Sequence, residues 1–553
     1  MTALIQRIRD AVIGSDQTIT TPFGDKPLVY ADYTASGRSL NFIEEYIQQQ
    51  VLPFYANTHT ESSYTGAQTG QLREQARTEI RQAVNADDTY EVIFCGSGAT
   101  AAIHKLVDIL NLRLPADLND RYKFTDMIPQ DQRPVVFIGA YEHHSNELPW
   151  RESIADVVVI PLSETGLLDI QVLEEKLVEY QNRPLKIGSF SAASNVTGLK
   201  SNVVGISHLL KRFGAFAFWD YAAGAPYVGI DMLSGGKPDS ALDAVFISPH
   251  KFIGGPGTPG ILVVNKALLT NRVPAVPGGG TVIYVTPEDH SYTEHGERRE
   301  EGGTPAIIES IRAGLVFRLQ QQVGVERIEK LETDFVRRAL QHWGNNDKIE
   351  VLGNPDAPRL SIVSLRIKYQ QEDLHYGFVV ALLNDLFGIQ ARGGCSCAGP
   401  YGHALLDMDM QYSKAVEAQI KAAQMVMRPG WSRLNFNYFI DEACFQYLLQ
   451  AIDLVAEHGW RLLPFYQYDT ASGVWKYQGQ GLRPAVNLQD LDFMDQDQTE
   501  RPRPTATDID YAGLLQQAED VLLQEQQGQR FELSLPADAE ALRWFVLPQA
   551  IEI

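Results

Sequence analysis

The chain has 553 residues, of which 44% are hydrophobic and 21% charged, a composition ordinary for a soluble globular protein. Its formal charge of −22 argues against nucleic-acid and anionic-membrane partners, and no apolar run approaches the roughly 18 residues a membrane helix needs. Four cysteines in this length do not make a disulfide framework, so a reducing, cytoplasmic setting is expected.

In chain order, Met1–Asp10 reads as an amphipathic helix, not a signal peptide, within an N-terminal segment of residues 1–27. A large domain is expected over 28–306. Its apolar runs, Tyr90–Phe94, Pro134–Ile138, Val157–Ile160, Leu185–Phe190, Ala215–Trp219, Ala244–Ile247 and Gly260–Val264, alternate with helical patterns. That pattern predicts an α/β fold with a mostly parallel, seven-stranded sheet covered on both faces. A smaller α+β domain follows over 307–460: a helix over Ile308–Leu331, a strand Leu360–Leu365, a helix Phe378–Leu386, a strand Arg433–Phe436 and a helix Asp441–His458. Residues 461–553 form an extension. Its span 466–510, rich in Gln, Asp, Gly and Pro, reads as a loose linker, followed by a helix Tyr511–Gln526 and a strand-like tail Arg530–Leu535.

Two of the predicted strand ends carry chemistry. Ser248-Pro249-His250-Lys251 follows Ala244–Ile247 and runs into Gly254-Gly255-Pro256-Gly257, which offers a lysine with room for a planar ligand. Asp220 ends another strand, 31 residues earlier. A lysine can form a Schiff base with an aldehyde cofactor, and a carboxylate can hold a pyridine nitrogen protonated so that the ring acts as an electron sink. The pair therefore indicates pyridoxal 5'-phosphate. Both residues fall at carboxyl ends of strands, where open α/β sheets place their ligands. Gly96-Ser97-Gly98-Ala99-Thr100 lies between a strand and a helix, as a phosphate-binding turn does, although an ordinary capped turn has the same residues. Ser248 and His250 can donate to the same phosphate. Tyr141-Glu142-His143-His144-Ser145-Asn146 follows a further strand end and offers an imidazole at the same mouth.

Taken together these runs resemble class V aminotransferase-fold enzymes of pyridoxal phosphate fold type I, and among them the group II cysteine desulfurases and the sulfurase domain of molybdenum cofactor sulfurases. The matching runs are Tyr30-Ala31-Asp32-Tyr33-Thr34-Ala35-Ser36, Glu142-His143-His144, Ser194-Asn195-Val196-Thr197-Gly198, Asp220 and Ser248–Lys251, within roughly residues 28 to 458. The resemblance implies a homodimer, cofactor contacts from Ala99, Thr100, His143, Asn195, Ser248 and His250, and Thr304 of Glu301-Gly302-Gly303-Thr304-Pro305 reaching the partner subunit's cofactor. One position departs: where cysteine desulfurases carry Gln three residues after the Asp, this chain has Ala223.

Gln390-Ala391-Arg392-Gly393-Gly394-Cys395-Ser396-Cys397-Ala398-Gly399-Pro400 resembles the sulfur loop of both sulfurase families and places the nucleophile at Cys397, with Cys395 matching the additional cysteine of molybdenum cofactor sulfurases. A mobile, solvent-reached thiol suits persulfide formation. Two clustered cysteines leave a zinc site short of ligands, so no metal is expected. Two spectator thiols in a loop are the bland alternative. Arg433, 36 residues beyond Cys397, matches the residue that binds the substrate's α-carboxylate, with Arg392 and Asn195 as further substrate-binding candidates. The long spacing marks an insert over about His403 to Met427. The expected activity is desulfuration of cysteine or a related amino acid, with Lys251, His143, Asp220 and Cys397 catalytic, alanine released and sulfur passed to a possible acceptor protein. A C–S β-lyase that yields pyruvate without Cys397 is the alternative, and a scaffold that has lost catalysis is the remaining one. Every motif lies between Asp32 and Arg433, so the extension is expected to be dispensable for cofactor binding.

Overall fold

A computed structural model describes residues 3–58, 60–294, 296–481, 487–494 and 509–552. All seven expected strands form one sheet. Its spatial order is Tyr90–Cys95, Gly260–Asn265, Ala244–Ile247, Phe216–Asp220, Lys186–Ser191, Val135–Gly139 and Asp156–Ile160. Neighbours pair in parallel except that Gly260–Asn265 runs antiparallel to both of its own. Two reversals restore direction, so Tyr90–Cys95 points the same way as Ala244–Ile247. The turns after residues 95, 139, 191, 220 and 247 consequently open on one edge of the sheet.

Side chains alternate across this sheet with the period of two that strands impose. Ala217, Trp219, Val245 and Ile247 pack in one core with Ile5 and Ile8 of the N-terminal helix Ala3–Asp10. Phe218, Phe246, Ile93 and Leu262 pack on the other face under the helix Gly98–Ile109. Both faces are covered, which is why the strands read as continuous apolar runs.

The predicted helix Ile308–Leu331 is corrected to two helices, Ile307–Val323 and Val325–Trp343. Gly324 separates them with φ of 90°, a left-handed conformation that ends a helix without a Cβ clash. The second sheet is antiparallel, in the order Ile349–Val351, Ile362–Tyr369, Trp431–Asn435 and Arg392–Gly394. The helices Tyr376–Phe387 and Glu442–His458 cover it, the latter capped by the Asp441 carboxylate accepting from Cys444 N. The insert folds as the helices Gly399–Leu405 and Met410–Lys421, followed by a short turn at Met425–Met427.

The loose linker is corrected over its first part. Tyr466–Asp469 and Val474–Tyr477 form a hairpin whose Tyr466 and Trp475 are buried, because aromatic residues alternate there beneath a polar composition. Residues 482–486 and 495–508 of that span lie outside the described residues. A helix follows at Tyr511–Leu523. Among the described residues the strand-like tail at 530–535 pairs with no strand: the Gln549 side chain satisfies the Leu533 backbone instead, accepting at 3.0 Å and donating at 3.0 Å. Ala518, Leu522, Phe545, Val546 and Ile551 enter the same core as Phe378 and Leu448, so the extension is built into the smaller unit's interior. Among the described residues no helix is long and apolar enough to cross a membrane.

Candidate active site

A cavity of about 260 Å³ opens at the sheet edge where the turns converge. Lys251, in the turn Pro249–Lys251, and Asp220, the last residue of its strand, line it together. Ala99, Thr100, His143, Asn195, Ser248, His250, Arg392, Cys397 and Arg433 line it too, so residues from five strand-end turns and the second sheet meet at one place. Ala223 also lines it and brings no donor to the wall. Thr304 does not reach this cavity. It lines a separate one of about 440 Å³ with Cys95 and Glu301, and its hydroxyl lies 3.4 Å from Asn57 Nδ2.

Burial sets the electrostatics. Asp220 is enclosed, and the loss of water pushes its carboxyl up, opposed by the Ala222 N–H donated to Oδ1 at 2.8 Å and by the charge of Lys251. Removal of water likewise lowers Lys251 to about 8, against the pull of Asp220, and the charges of Arg433 and Arg392 lower it further. His143 is pushed down to about 4 by burial first and then by Lys251. Its Nδ1 accepts from Ser145 N at 3.1 Å, which leaves the proton of the neutral ring on Nε2. Ser145 Oγ lies 3.0 Å from that Nδ1 and 2.7 Å from Thr100 Oγ1, a hydrogen-bonded chain from the imidazole to the helix start. His250 is also lowered to about 4, by burial and then by Lys251.

The turn before Gly98–Ile109 is tight against the lysine segment. A Cβ on Gly98, whose φ is 58°, would stand 2.9 Å from both His250 Cε1 and Ser248 Oγ. Ala99 N donates to Ser248 Oγ at 2.8 Å. The helix thus presents its N-terminal turn to the cavity with Ser248 and His250 beside it.

The arginines come from paired positions. Arg392 and Arg433 face each other across neighbouring strands, and cross-strand partners share a sheet face. Asp32 bridges them: its Oδ2 accepts from Arg392 Nε at 2.9 Å and its Oδ1 from Arg433 Nη2 at 3.1 Å. Arg433 Nη1 donates to Asn195 O at 2.9 Å. Arg433 is buried, whereas the Arg392 side chain is 53% exposed and keeps its terminal nitrogens for a ligand.

The cysteine loop is held over the cavity at three points. Asn195 Nδ2 donates to Ser396 O at 2.8 Å, His144 N donates to Cys397 O at 2.9 Å, and Gly399 N donates to His144 Nε2 at 3.0 Å. Ser396 and Cys397 have φ of 54° and 56°. Cys397 is exposed in the cavity wall, while Cys395 packs against Tyr401 and Trp431 away from it. Asp32 and Ser145 had no assigned role in the sequence, although both lie within recognisable runs. The local signal for Asp32 is only its place in the opening run, since both arginines are some 360 and 401 residues away.

These residues fit pyridoxal phosphate. The cavity holds an amine of lowered basicity and a buried carboxylate short of a cation, next to a helix start lined by hydroxyl and imidazole donors. Thr34 Oγ1 and Arg433 Nε are buried at the same cavity without hydrogen-bond partners among the described residues, polar groups of the kind a bound ligand satisfies.

The aminotransferase class-V family model matches residues 29–416. A probable cysteine desulfurase of Halalkalibacterium halodurans is 30% identical over 378 residues, covering 68% of this chain and 85% of that protein. A probable cysteine desulfurase of Staphylococcus aureus is 26% identical over 383 residues, covering 68% and 84%. Among solved structures, a cysteine desulfurase of Thermococcus onnurineus superposes with a TM-score of 0.62 at 20% identity, covering 78% of this chain and 95% of that one. The cysteine desulfurase CsdA of Escherichia coli gives 0.59 at 20%, covering 77% and 94%. At these identities the structural likeness carries the fold. The sequence match, which begins on the strand that leads into Asp32 and runs past Cys397, carries the family: the chain belongs to the class V aminotransferases and is a pyridoxal phosphate-dependent enzyme.

Proposed function

We propose that the enzyme is a cysteine desulfurase that converts L-cysteine or a related amino acid to alanine and keeps the sulfur as a persulfide on Cys397. The observation that carries this reading is that Cys397 lines the same cavity as Lys251 and Asp220. Its relatives in Halalkalibacterium and Staphylococcus are named probable cysteine desulfurases, which supports it.

Lys251 would hold the cofactor covalently, Asp220 would accept the ring N–H, and Ala99, Thr100, Ser248 and His250 would surround the phosphate, with Asn195 beside the ring. When bound, pyridoxal phosphate supplies an electron sink for the negative charge formed at the substrate's α-carbon. Arg433 and Arg392 orient the substrate's carboxylate. Lys251 Nζ, whose value near 8 leaves a usable neutral fraction at neutral pH, removes the α-proton. His143, neutral with its proton on Nε2, moves a proton to or from the substrate. Cys397 Sγ, as thiolate, attacks the substrate sulfur. The carbon–sulfur bond breaks, its electrons return to carbon, and a proton completes alanine, so enzyme thiol plus cysteine gives enzyme persulfide plus alanine.

A C–S β-lyase is the second reading, favoured by Ala223, which removes a donor from the wall beside Asp220. Product analysis separates the two. Cys397→Ser should keep cofactor absorbance and lose alanine formation, Cys395→Ser should be milder, and mass spectrometry should find one added sulfur on the Cys397 peptide after cysteine treatment. Wild-type turnover to pyruvate by Cys397→Ser would replace the desulfurase with the lyase.

We further propose a homodimer in which Thr304 reaches the partner's cofactor. Its position at a second, open cavity and away from the first supports this, and light scattering tests it. We also propose a division near residues 28–306 and 307–460, since each sheet has its own apolar core, with the helix Ile307–Val323 packing through Ala313, Val316 and Phe317 into the core of the large sheet. All four cysteines are unpaired, which supports a reducing, cytoplasmic setting, and a sulfur-acceptor protein is the expected recipient of the persulfide.

A further inference from the structure

The last residues of the chain dock at the root of the cysteine loop. Val546 N donates to Asp373 O at 3.0 Å and Asp373 N to Trp544 O at 3.4 Å, which lays residues 544–546 beside the segment leading into His375 and Tyr376. Arg543 pairs with Glu372 just before it. The Trp544 ring lies nearly parallel to Tyr376, with centroids 6.0 Å apart and planes 9° apart, and 5.3 Å from His375 at 25°.

Tyr376 in turn rests on the strands that carry the loop. A Cβ on Gly393 would stand 2.7 Å from Tyr376 Cδ2, and one on Gly430 would stand 2.8 Å from Tyr376 Cε1. Only glycines let the ring approach so closely. Gly393 lies four residues before Cys397, and Gly430 begins the return to Arg433. The tail also ties down the insert between those glycines. Tyr412 OH donates to Leu542 O at 2.8 Å, and Trp544 Nε1 donates to Met427 O at 3.2 Å. His375 completes the arrangement: Nδ1 accepts from Gly377 N and Trp475 Nε1, so Nε2 donates to Val426 O at 3.2 Å.

We propose that the carboxyl-terminal tail is a positioning element for the sulfur loop, with Trp544 as the residue through which it acts. The tail presses Tyr376 onto Gly393 and Gly430 and pins the insert at Tyr412 and Met427, so the loop leaves its strand in the direction that brings Cys397 to the cavity. This rests on the reading of Cys397 as nucleophile, while the loop geometry it describes does not.

The test uses full-length holoenzyme and compares Trp544→Leu, which keeps an apolar side chain but removes the stacked ring, with Trp544→Phe, which keeps a ring at the position. Three quantities are read: cofactor absorbance, kcat and KM for alanine formation, and the rate of iodoacetamide alkylation at Cys397 by peptide mass spectrometry. Trp544→Leu should keep its cofactor and its KM within about twofold, lower kcat about fivefold, and change Cys397 alkylation by a similar factor; Trp544→Phe should recover most of both. Unchanged kcat and alkylation in Trp544→Leu overturn the proposal, as does a loss of activity that follows loss of cofactor with alkylation unaltered. Should Trp544→Leu fail to fold, Tyr412→Phe, which deletes only the bond to Leu542, should shift alkylation about twofold, and no shift overturns the proposal. Alkylation reports on loop position even if Cys397→Ser still makes alanine, so failure of the nucleophile reading is told apart from failure of this one.

Discussion

The lowered Lys251 amine makes a measurable prediction about the apo-enzyme. Lysine in water has a value near 10.5 and is neutral in about one molecule in three thousand at pH 7; at about 8 the neutral share is about one in ten. The site therefore raises the reactive fraction about 300-fold before any ligand arrives. Reaction of Lys251 with trinitrobenzenesulfonate, followed by peptide mapping from pH 6 to 11, should show a midpoint near 8. Asp220 pulls that value up, so Asp220→Asn should move the midpoint lower; Arg433 pushes it down, so Arg433→Gln should move it higher. The same shift has a consequence for stability. Folding lowers the lysine's value, so between about 8 and 10.5 the unfolded chain binds more protons, and this group's contribution to apo-enzyme stability rises with pH across that window. A midpoint near 10.5, or an upward move in Asp220→Asn, would refute the argument that burial and the neighbouring charges control this amine.

Arg433→Lys should retain cofactor absorbance but raise KM for the amino-acid substrate on the order of tenfold or more, since lysine keeps the charge and loses the planar fork; an unchanged KM rejects the carboxylate role. His144→Ala removes the acceptor for Gly399 N, a bond worth about 1 kcal/mol net, and should shift the loop about fivefold toward release. Faster alkylation of Cys397 with intact cofactor absorbance is the expected result, and an unaltered rate removes His144 from the loop's support.

Much of the fold was legible because each face of the large sheet is buried, so its strands appear as apolar runs bounded by turn residues. The misjudged elements share a different cause. Gly324 lies inside a stretch whose apolar pattern continues on both sides, and periodicity does not report a change in helix direction. The hairpin at Tyr466–Tyr477 was masked by averaging, since Gln, Asp and Gly dominate the window while four aromatics at alternating positions do the packing. Phe545 and Val546 complete a core whose members reach back to Phe378 and Leu448, and no local pattern marks such a distant partnership.

The site divides the same way, between what is local and what requires the folded chain. Asp220, Lys251 and the Gly98 turn were readable because each sits at a strand end in its own short run. Asp32 was not, because its meaning is its two arginine partners, and those positions become neighbours only when Val29–Tyr30 pairs in parallel with Ile389–Gln390. The choice between the two thiols is subtler. Gly393-Gly394-Cys395-Ser396-Cys397 places both in a permissive loop, yet beyond Gly394, whose φ is 121°, two further positive φ values fall on Ser396 and Cys397, which are not glycines. Such residues cost roughly 1 to 2 kcal/mol each, and they turn the chain so that Cys395 faces Trp431 while Cys397 faces the cavity. Three hydrogen bonds, from Asn195, His144 and Gly399, offset a strain of that size. These bonds to Asn195 and His144 act beside the tail's contacts at the root of the loop, and a substitution that removes them weakens the position of the thiol without altering the thiol itself.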